Sequence, residues 1–385
     1  MFRIEMLPAG HGDSLLISYG DPTSPKHILI DGGPYYFFAN KKKKELGKRQ
    51  TLNRRLAELT QEGSELELMV VTHVDGDHIE AAIRWIGSHP QPIPVQEIWF
   101  NGRHHLDRGW MGIPEGEFLS KLIDSHGIPW NMHFEDGAGA VVCSSTEPVT
   151  RTLEGGMKLT VLSPSWPDLD KLRGEWDQVL EEEKLDTDDP QAILERLEQN
   201  KRLRPTPEAF GWLGGEEEEG VEDWAEAVFK EDATVANGSS IALLAEYEGK
   251  AVLLAGDAHP STLIDSINQL LRQRGNSRLA IDAFKVPHHG SKNNLNRELL
   301  ELVECRRFLI STNGSYFDHP DQEAIARILK YGTRVYSRNS FDRAILCFNY
   351  QKPRMKSWDD PDLKSTYLYD TDYPASSGDK LVIDL

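Results

Sequence analysis

The chain is expected to fold as an α/β protein, a four-layer αββα sandwich that carries an acidic, helical insertion. Three observations lead there. Short apolar runs alternate with amphipathic stretches along most of the length, several of those runs end in clusters of His and Asp, and one long segment breaks the alternation with dense negative charge.

Strand-like runs at 2–7, 14–19, 27–30, 67–71 and 96–100, with helical periodicity near 46–61 and 78–87, make a first half. Runs at 157–162, 240–247, 250–255, 280–286, 307–311 and 343–348, with helices near 260–273, 296–304 and 321–330, make a second. Helices interleaved in this way cover one face of each sheet, so the two bare faces must bury each other. The domain reading is 1–165 for the first half, 166–232 for the insertion, 233–350 for the second half and 351–385 for a C-terminal extension.

The apolar run Leu68 to Val71 leads directly into Thr72-His-Val-Asp-Gly-Asp-His78. Four potential ligands lie between His73 and His78, where a strand turns into a helix, and they repel one another and resist burial unless a cation neutralises them. His73, Asp75 and Asp77 alternate along the loop and can face one centre, while Asp77 and His78 diverge toward a second. Helix capping by Asp77 is the plain alternative, but a cap needs one acid and accounts for neither histidine. Further on, Ala251 to Asp257 ends a buried strand in Gly and Asp, and Lys285-Val-Pro-His-His-Gly-Ser291 follows the apolar Ala280 to Phe284. Loop histidines are common, yet three strand-end clusters of this type point to a single site. Mixed imidazole and carboxylate donors suit zinc, manganese or iron, whereas an all-oxygen set would suit calcium or magnesium.

Thr72 to His78, Leu253 to Asp257 and Val286 to Lys292, with Gly10-His-Gly-Asp-Ser-Leu-Leu-Ile17, Ile28-Leu-Ile-Asp-Gly-Gly33, Leu159-Thr-Val-Leu-Ser-Pro164, Asn237-Gly-Ser-Ser240 and His319-Pro320, resemble the metallo-β-lactamase-fold hydrolases. Within them the pattern is similar to the soluble hydrolase domain of the ComEC-type DNA-uptake proteins. The likeness runs from residue 2 to about 348 and implies a metallo-β-lactamase sandwich of two mirrored halves, its ligands in loops at one sheet edge. It implies two divalent ions, zinc or manganese, with His73 and Asp75 on one, Asp77, His78 and His288 on the other, and Asp257 bridging. Asp75 stands where the wider superfamily has His and the ComEC-like branch has Asp. The histidine that many relatives supply before the bridging aspartate is replaced by the Asn237 segment, so the first ion lacks a ligand or takes His104 or His105. His11, where ComEC relatives show Gln, and Asp31 are placed near the metals, on the substrate side. The implied reaction is metal-assisted hydrolysis, with Asp77 orienting or deprotonating the water and His289, Ser291 or His319 against the scissile phosphate.

Charge is unevenly spread. Residues 166–232 hold 22 acidic and 8 basic side chains, a net of −14 within a chain total of −19. This segment reads as surface helices with an acidic loop: a solvated decoration, a docking arm for a protein partner, or an acidic flap over the cleft. The remainder carries only −5, so overall acidity does not exclude a nucleic-acid substrate. Lys41, Lys42, Lys43 and Lys44, with Lys48, Arg49, Arg54 and Arg55, form a basic cluster that is either a solvated helix face or a phosphate-attracting patch. Pro34-Tyr-Tyr-Phe-Phe38 beside it offers either stacking surfaces or a buried hairpin. Cys143, Cys305 and Cys347 are isolated, which argues against a disulfide framework, and no run of 18 apolar residues exists to span a membrane. The expectation is a cytoplasmic enzyme that does not import DNA by itself. Its function classes are a phosphodiesterase or nuclease acting on single-stranded DNA or another phosphodiester, a hydrolase of lactones, thioesters or cyclic nucleotides, and a partner-regulated subunit of a bacterial toxin or defence system.

Overall fold

The computed structural model describes residues 1–34, 52–88, 93–106, 114–134, 139–183, 220–315, 317–333, 342–376 and 378–385. Tyr35 to Phe38, Lys41 to Lys44 and residues 184–219 of the acidic segment lie outside them.

Among the described residues fourteen strands form two mixed sheets. The first holds β1 (Phe2–Met6), β2 (Leu15–Tyr19), β3 (Lys26–Ile30), β4 (Leu66–Val70), β5 (Ile98–Trp99) and, at its edge, β14 (Leu381–Asp384), in the order β14-β1-β2-β3-β4-β5. The second holds β6 (Val149–Thr152), β7 (Lys158–Ser163), β8 (Ala242–Tyr247), β9 (Lys250–Leu254), β10 (Leu279–Lys285), β11 (Val303–Ile310), β12 (Ala344–Phe348) and β13 (Tyr369–Asp372), in the order β13-β12-β11-β10-β9-β8-β7-β6. β1-β2-β3, β6-β7 and β8-β9 pair antiparallel through short connections, and β7-β8 antiparallel across the long segment 164–241; β3-β4-β5 and β9 through β13 run parallel, with helices in most of the connections.

Three separate cores give the layer order. Ile4, Ile17, Ile28 and Leu68 of the first sheet meet Val161, Leu243, Val252, Ala283 and Leu309 of the second. The outer face of the first sheet, with Leu16, Leu29 and Met69, is covered by Leu56 and Leu59 of the Leu52–Gln61 helix and Ile79 and Ile83 of the Gly76–Ile86 helix. The outer face of the second, with Leu244, Leu253, Phe284 and Phe308, is covered by Leu263 and Ile267 of the Pro260–Arg274 helix and by Leu299 and Ile325. Strands buried on both faces read as continuous apolar runs, which is why β4 and β9 were visible in the sequence. The result is a four-layer αββα sandwich.

Some boundaries differ from expectation. The helix expected over 296–304 stops at Leu302, because Val303 turns to φ −108°, ψ 145° and starts β11 four residues early. The pattern over 321–330 divides into a Gln322–Arg327 α-helix and a π-turn over Ile328–Thr333. Strands β6, β13 and β14 lie where no strand was expected, and β13 and β14 extend both sheets from within 351–385. The described ends of 166–232 pack on the sandwich: Leu169 and Leu172 of the Trp166–Glu183 helix join one outer core, and Val221 and Ala225 of the Val221–Glu226 helix join the other. Among the described residues no helix is long and apolar enough to cross a membrane.

The register of β14 predicts a sharp contrast between neighbours. Ile383 is buried between the sheets and Val382 faces outward. Ile383→Ala should lower the unfolding free energy by about 2–5 kcal/mol, and Val382→Ala by no more than about 0.5 kcal/mol, read from urea melts with unchanged slope. Equal effects would contradict this pairing.

Candidate metal centre

The C-terminal ends of β4, β9 and β10 bring the three clusters together. The Thr72 to Asp75 loop leaves β4 and enters the Gly76–Ile86 helix, with Asp75 as N-cap residue and Asp77 in the first turn. Asp75 makes no side-chain capping bond, so the helix start does not account for its carboxylate. Asp257 follows β9 through Gly256, whose φ of 52° and contact with Thr72 and Ser240 leave no room for a side chain. Lys285 ends β10, and His288 and His289 follow with φ of 45° and 56°. Consecutive left-handed non-glycine residues cost of order 1–3 kcal/mol each and persist where surrounding contacts hold them.

One carboxylate oxygen is the hub. Asp257 Oδ2 lies 3.3 Å from His78 Nε2, 3.6 Å from His289 Nε2, 3.8 Å from His288 Nε2 and 4.0 Å from His73 Nε2. Asp77 Oδ2 sits 3.2 Å from His289 Nε2 and 3.9 Å from His78 Nε2, and Asp75 Oδ2 is 3.6 Å from His73 Nε2. Each imidazole is held by its other nitrogen. His78 Nδ1 donates to Asp31 Oδ2 at 2.7 Å, His289 Nδ1 to the Ser311 carbonyl at 2.9 Å, His288 Nδ1 to Asn294 Oδ1 at 2.9 Å, and His73 Nδ1 to Thr72 Oγ1 at 3.0 Å. Ring orientation fixed at Nδ1, with Nε2 aimed inward, is how proteins present histidines to metals.

Burial and charge test whether ions fit. Nε2 of His73, His78 and His289 and Oδ1 of Asp257 are buried without a hydrogen-bond partner, which is costly unless something else occupies the space between them. Asp13, Asp31, Asp77 and Asp257 stand against a buried ammonium, that of Lys285, which pairs with Asp13 and lies 4.0 Å from Asp257 Oδ1. Burial alone would lower the His78 and His289 imidazoliums, yet the surrounding carboxylates overcome it: Asp257, Asp31 and Asp77 raise His78 well above its usual value, and Asp257 and Asp13 bring His289 to about 9. Burial would likewise raise Asp257 and Asp77, and the histidines pull both down. The cluster therefore demands positive charge beyond Lys285, and it meets the donor chemistry of divalent ions. His73, His78 and Asp257 form one candidate triad, and Asp77, His78 and His289 another, with ligand atoms within 4.8 Å of one another.

The placement of the remaining sequence candidates is mixed. His289, expected against the substrate, has its Nε2 inside the cluster beside Asp77, while His288 is partly exposed and approaches the same Asp257 oxygen. Asp31 uses both oxygens internally, on the Thr72 amide and hydroxyl and on His78. Ser291 is buried and its hydroxyl accepts from the Asn293 amide. His319 stands edge-on to His288 with ring centroids 5.2 Å apart, and His11 lies in the neighbouring loop, where burial lowers its imidazolium. His105 packs edge-on against Trp130 and is absent from the cluster. Asn237 donates to Asp232 at 2.7 Å, next to His288 Nδ1. Lys41 to Lys44 lie outside the described residues. Sequence reasoning missed Asp13, which sits in a fragment that carries the resemblance, and Lys285, which precedes another; only the tertiary fold shows the ion pair behind Asp257.

No family model and no curated protein matches the chain. Among solved structures it is similar to a mutant of the CmlA beta-hydroxylase, at 11% identity and a TM-score of 0.38, over 100% of this chain and 54% of that one. It is also similar to a protein of Parabacteroides distasonis ATCC 8503 assigned as a metal-dependent hydrolase, at 11% identity and a TM-score of 0.34, over 97% and 98% of the two chains. The chain thus spans about half the length of the first of these.

Two outcomes follow from the geometry. Elemental analysis should find about two divalent ions per chain, Asp257→Ala should lose both, and chelation should lower the melting temperature because the buried carboxylates lose their counter-charge. A metal-free protein of unchanged melting temperature would sink the assignment. Gly12 packs on the backbone of Asp77, where an added Cβ would overlap the Asp77 carbonyl. Gly12→Ala should therefore reduce metal content while the circular dichroism spectrum keeps its native shape.

Proposed function

We propose that the chain is a dinuclear metal-dependent hydrolase that cleaves phosphodiesters. The observation that carries the metal reading is the convergence of four imidazole nitrogens on Asp257 Oδ2, three of them buried without a hydrogen-bond partner. The phosphodiester reading is supported by the carboxylate-rich donor set, by the resemblance of the motifs to the ComEC-type hydrolase domain, and by the basic run Lys41 to Lys44.

His73, Asp75 and Asp257 would hold one ion, and Asp77, His78, His289 and Asp257 the other, with His288 beside the bridge. Ions bound there supply a water acidified toward neutrality and a positive field for the developing oxyanion. The chain's own groups do the rest. Asp77, its Oδ2 at the inner edge of the cluster, accepts the proton of the attacking water. Asp31 and the Ser311 carbonyl keep His78 and His289 in the tautomer whose Nε2 lone pair faces inward. Lys285 neutralises Asp13 and stands behind Asp257, limiting the negative charge that an anionic substrate meets. His319, at the rim beside His288, contacts the scissile group.

The test is an activity screen in zinc and in manganese. Bis(p-nitrophenyl) phosphate and single-stranded DNA should both be cleaved, and Asp77→Ala should slow cleavage by about 10²- to 10⁴-fold. Replacing Lys41 to Lys44 by alanine should weaken DNA cleavage in a salt-dependent way and spare the small diester, since cations outside the ligand set act on encounter. Cleavage of lactones or thioesters with inert diesters would transfer the assignment to small-molecule hydrolysis. Inactivity on every substrate despite full metal loading would point to a subunit that requires its partner.

A further inference from the structure

A row of rings leads from the metal centre to the surface. His288 meets His319 edge-on at 5.2 Å between centroids, His319 lies 6.0 Å from Phe317 at a 30° tilt, and Phe317 meets His11 edge-on at 6.1 Å. Phe317 is 50% exposed. The other large hydrophobic side chains left exposed among the described residues are Met132, Trp166, Val228 and Val382, which lie outside this row.

The backbone that presents Phe317 is anchored from both sides. Upstream, the Asn313 amide donates to the Gly10 carbonyl at 2.7 Å, and Asn313 Oδ1 accepts from the Ser315 amide and hydroxyl, which fastens the segment to the His11 loop. Downstream, Asp318 pairs with Arg354 at 3.3 Å, the Asp321 amide donates to the Gly290 carbonyl, and Asp321 Oδ2 accepts from the Lys292 amide, which fastens the same segment to the His288-His289 loop. Asp318 itself is left-handed, with φ 57°. A phenyl ring held half-exposed between two imidazoles, with these anchors on the described residues to either side, is pre-organised to receive a flat partner.

We propose that Phe317 is a stacking platform for a nucleobase flanking the scissile phosphodiester. This rests on the phosphodiesterase reading and narrows its substrate class to nucleic acid or nucleotide diesters. A phosphate seated on the metal cluster places its neighbouring nucleoside toward the rim, where the row of His319, Phe317 and His11 offers the apolar faces that bases stack on. Phe317 is in this sense a specificity-determining residue and does not touch the reacting atoms.

Two substrates with the same leaving group test it: thymidine 5′-(p-nitrophenyl phosphate), which carries a base, and methyl p-nitrophenyl phosphate, which does not. Phe317→Ala should lower the ratio of their kcat/KM values by about 5- to 100-fold, mainly through KM for the thymidine diester, and Phe317→Trp should restore it. Metal content and melting temperature of both variants should match the parent, separating stacking from a structural role. Equal loss on both substrates, or an unchanged ratio, would overturn the proposal. If the parent protein hydrolyses neither diester, the phosphodiesterase reading itself fails; the fluorescence of metal-loaded Phe317→Trp, set against the parent, is then titrated with a thymidylate tetramer and an abasic tetramer. Quenching by the thymidylate alone upholds the platform, and its absence removes it.

Discussion

The buried charge around Asp257 is the constraint to which the surrounding structure answers. Four aspartates and four histidines converge where β4, β9 and β10 end, and among the described residues Lys285 is the permanent cation that meets them from within the core. Taking carboxylates out of water costs several kcal/mol apiece unless counter-charge and hydrogen bonds compensate. The loops that reach the site are accordingly fastened by polar contacts. Asp31 spends both oxygens on Thr72 and His78, Ser240 accepts from the Asp257 amide, and Asn294 spans His288 and the Asp257 carbonyl. Removing any one partner strands a buried group, so these contacts specify one arrangement more than they add net stability.

Close backbone approach is the second requirement, and glycine meets it. Gly12 lies on the Asp77 carbonyl, Gly32 on Ala81 and Ala82 of the helix that starts at Gly76, and Gly256 on Thr72 and Ser240. Each brings a strand-end loop within reach of the cluster at a point where a methyl group would force it away. The Gly32 amide also donates to the His78 carbonyl and the Ala81 amide to the Gly33 carbonyl, so the turn after β3 is tied to the helix that carries two of the candidate ligands. Because the cluster draws on both sheets, its assembly depends on the inter-sheet core, and metal binding and folding are thermodynamically linked.

Much of this was legible in the residue order, for reasons particular to each element. Apolar runs such as Leu66–Val70 and Lys250–Leu254 are buried on both faces and stand out from their surroundings, and the four-layer order follows from helices interleaved among them. Strand β6 reads Val-Thr-Arg-Thr and β13 reads Tyr-Asp-Thr-Asp; both are edge strands with few buried apolar residues, and their pairing is set by the neighbouring strand. The clustering of His73, Asp75, Asp77, His78, Asp257 and His288 was visible because each follows a recognisable strand. The distinct settings of His288 and His289 were not, since adjacent residues are separated only by the left-handed turn that aims one ring beside Asp77 and the other beside Asn294. Asp13 and Lys285 were hidden for a related reason: an ion pair between residues so far apart in sequence has no local signature.

The same anchoring logic extends from the cluster to its rim. The segment from Ser311 to Asp321 touches the metal loops at three points: Ser311 gives its carbonyl to His289, Asn313 binds the Gly10 backbone, and Asp321 binds Gly290 and Lys292. A displacement of this segment would therefore move His289 and the His11 loop together, so the geometry at the reacting centre and the ring row at the surface are set by one continuous piece of chain. That coupling is what lets an exposed phenyl ring stand at a fixed distance from a buried charge cluster. Among the described residues of this segment, Asn313, Asp318 and Asp321 spend polar groups on contacts within the protein, and Phe317 offers an aromatic face at the rim.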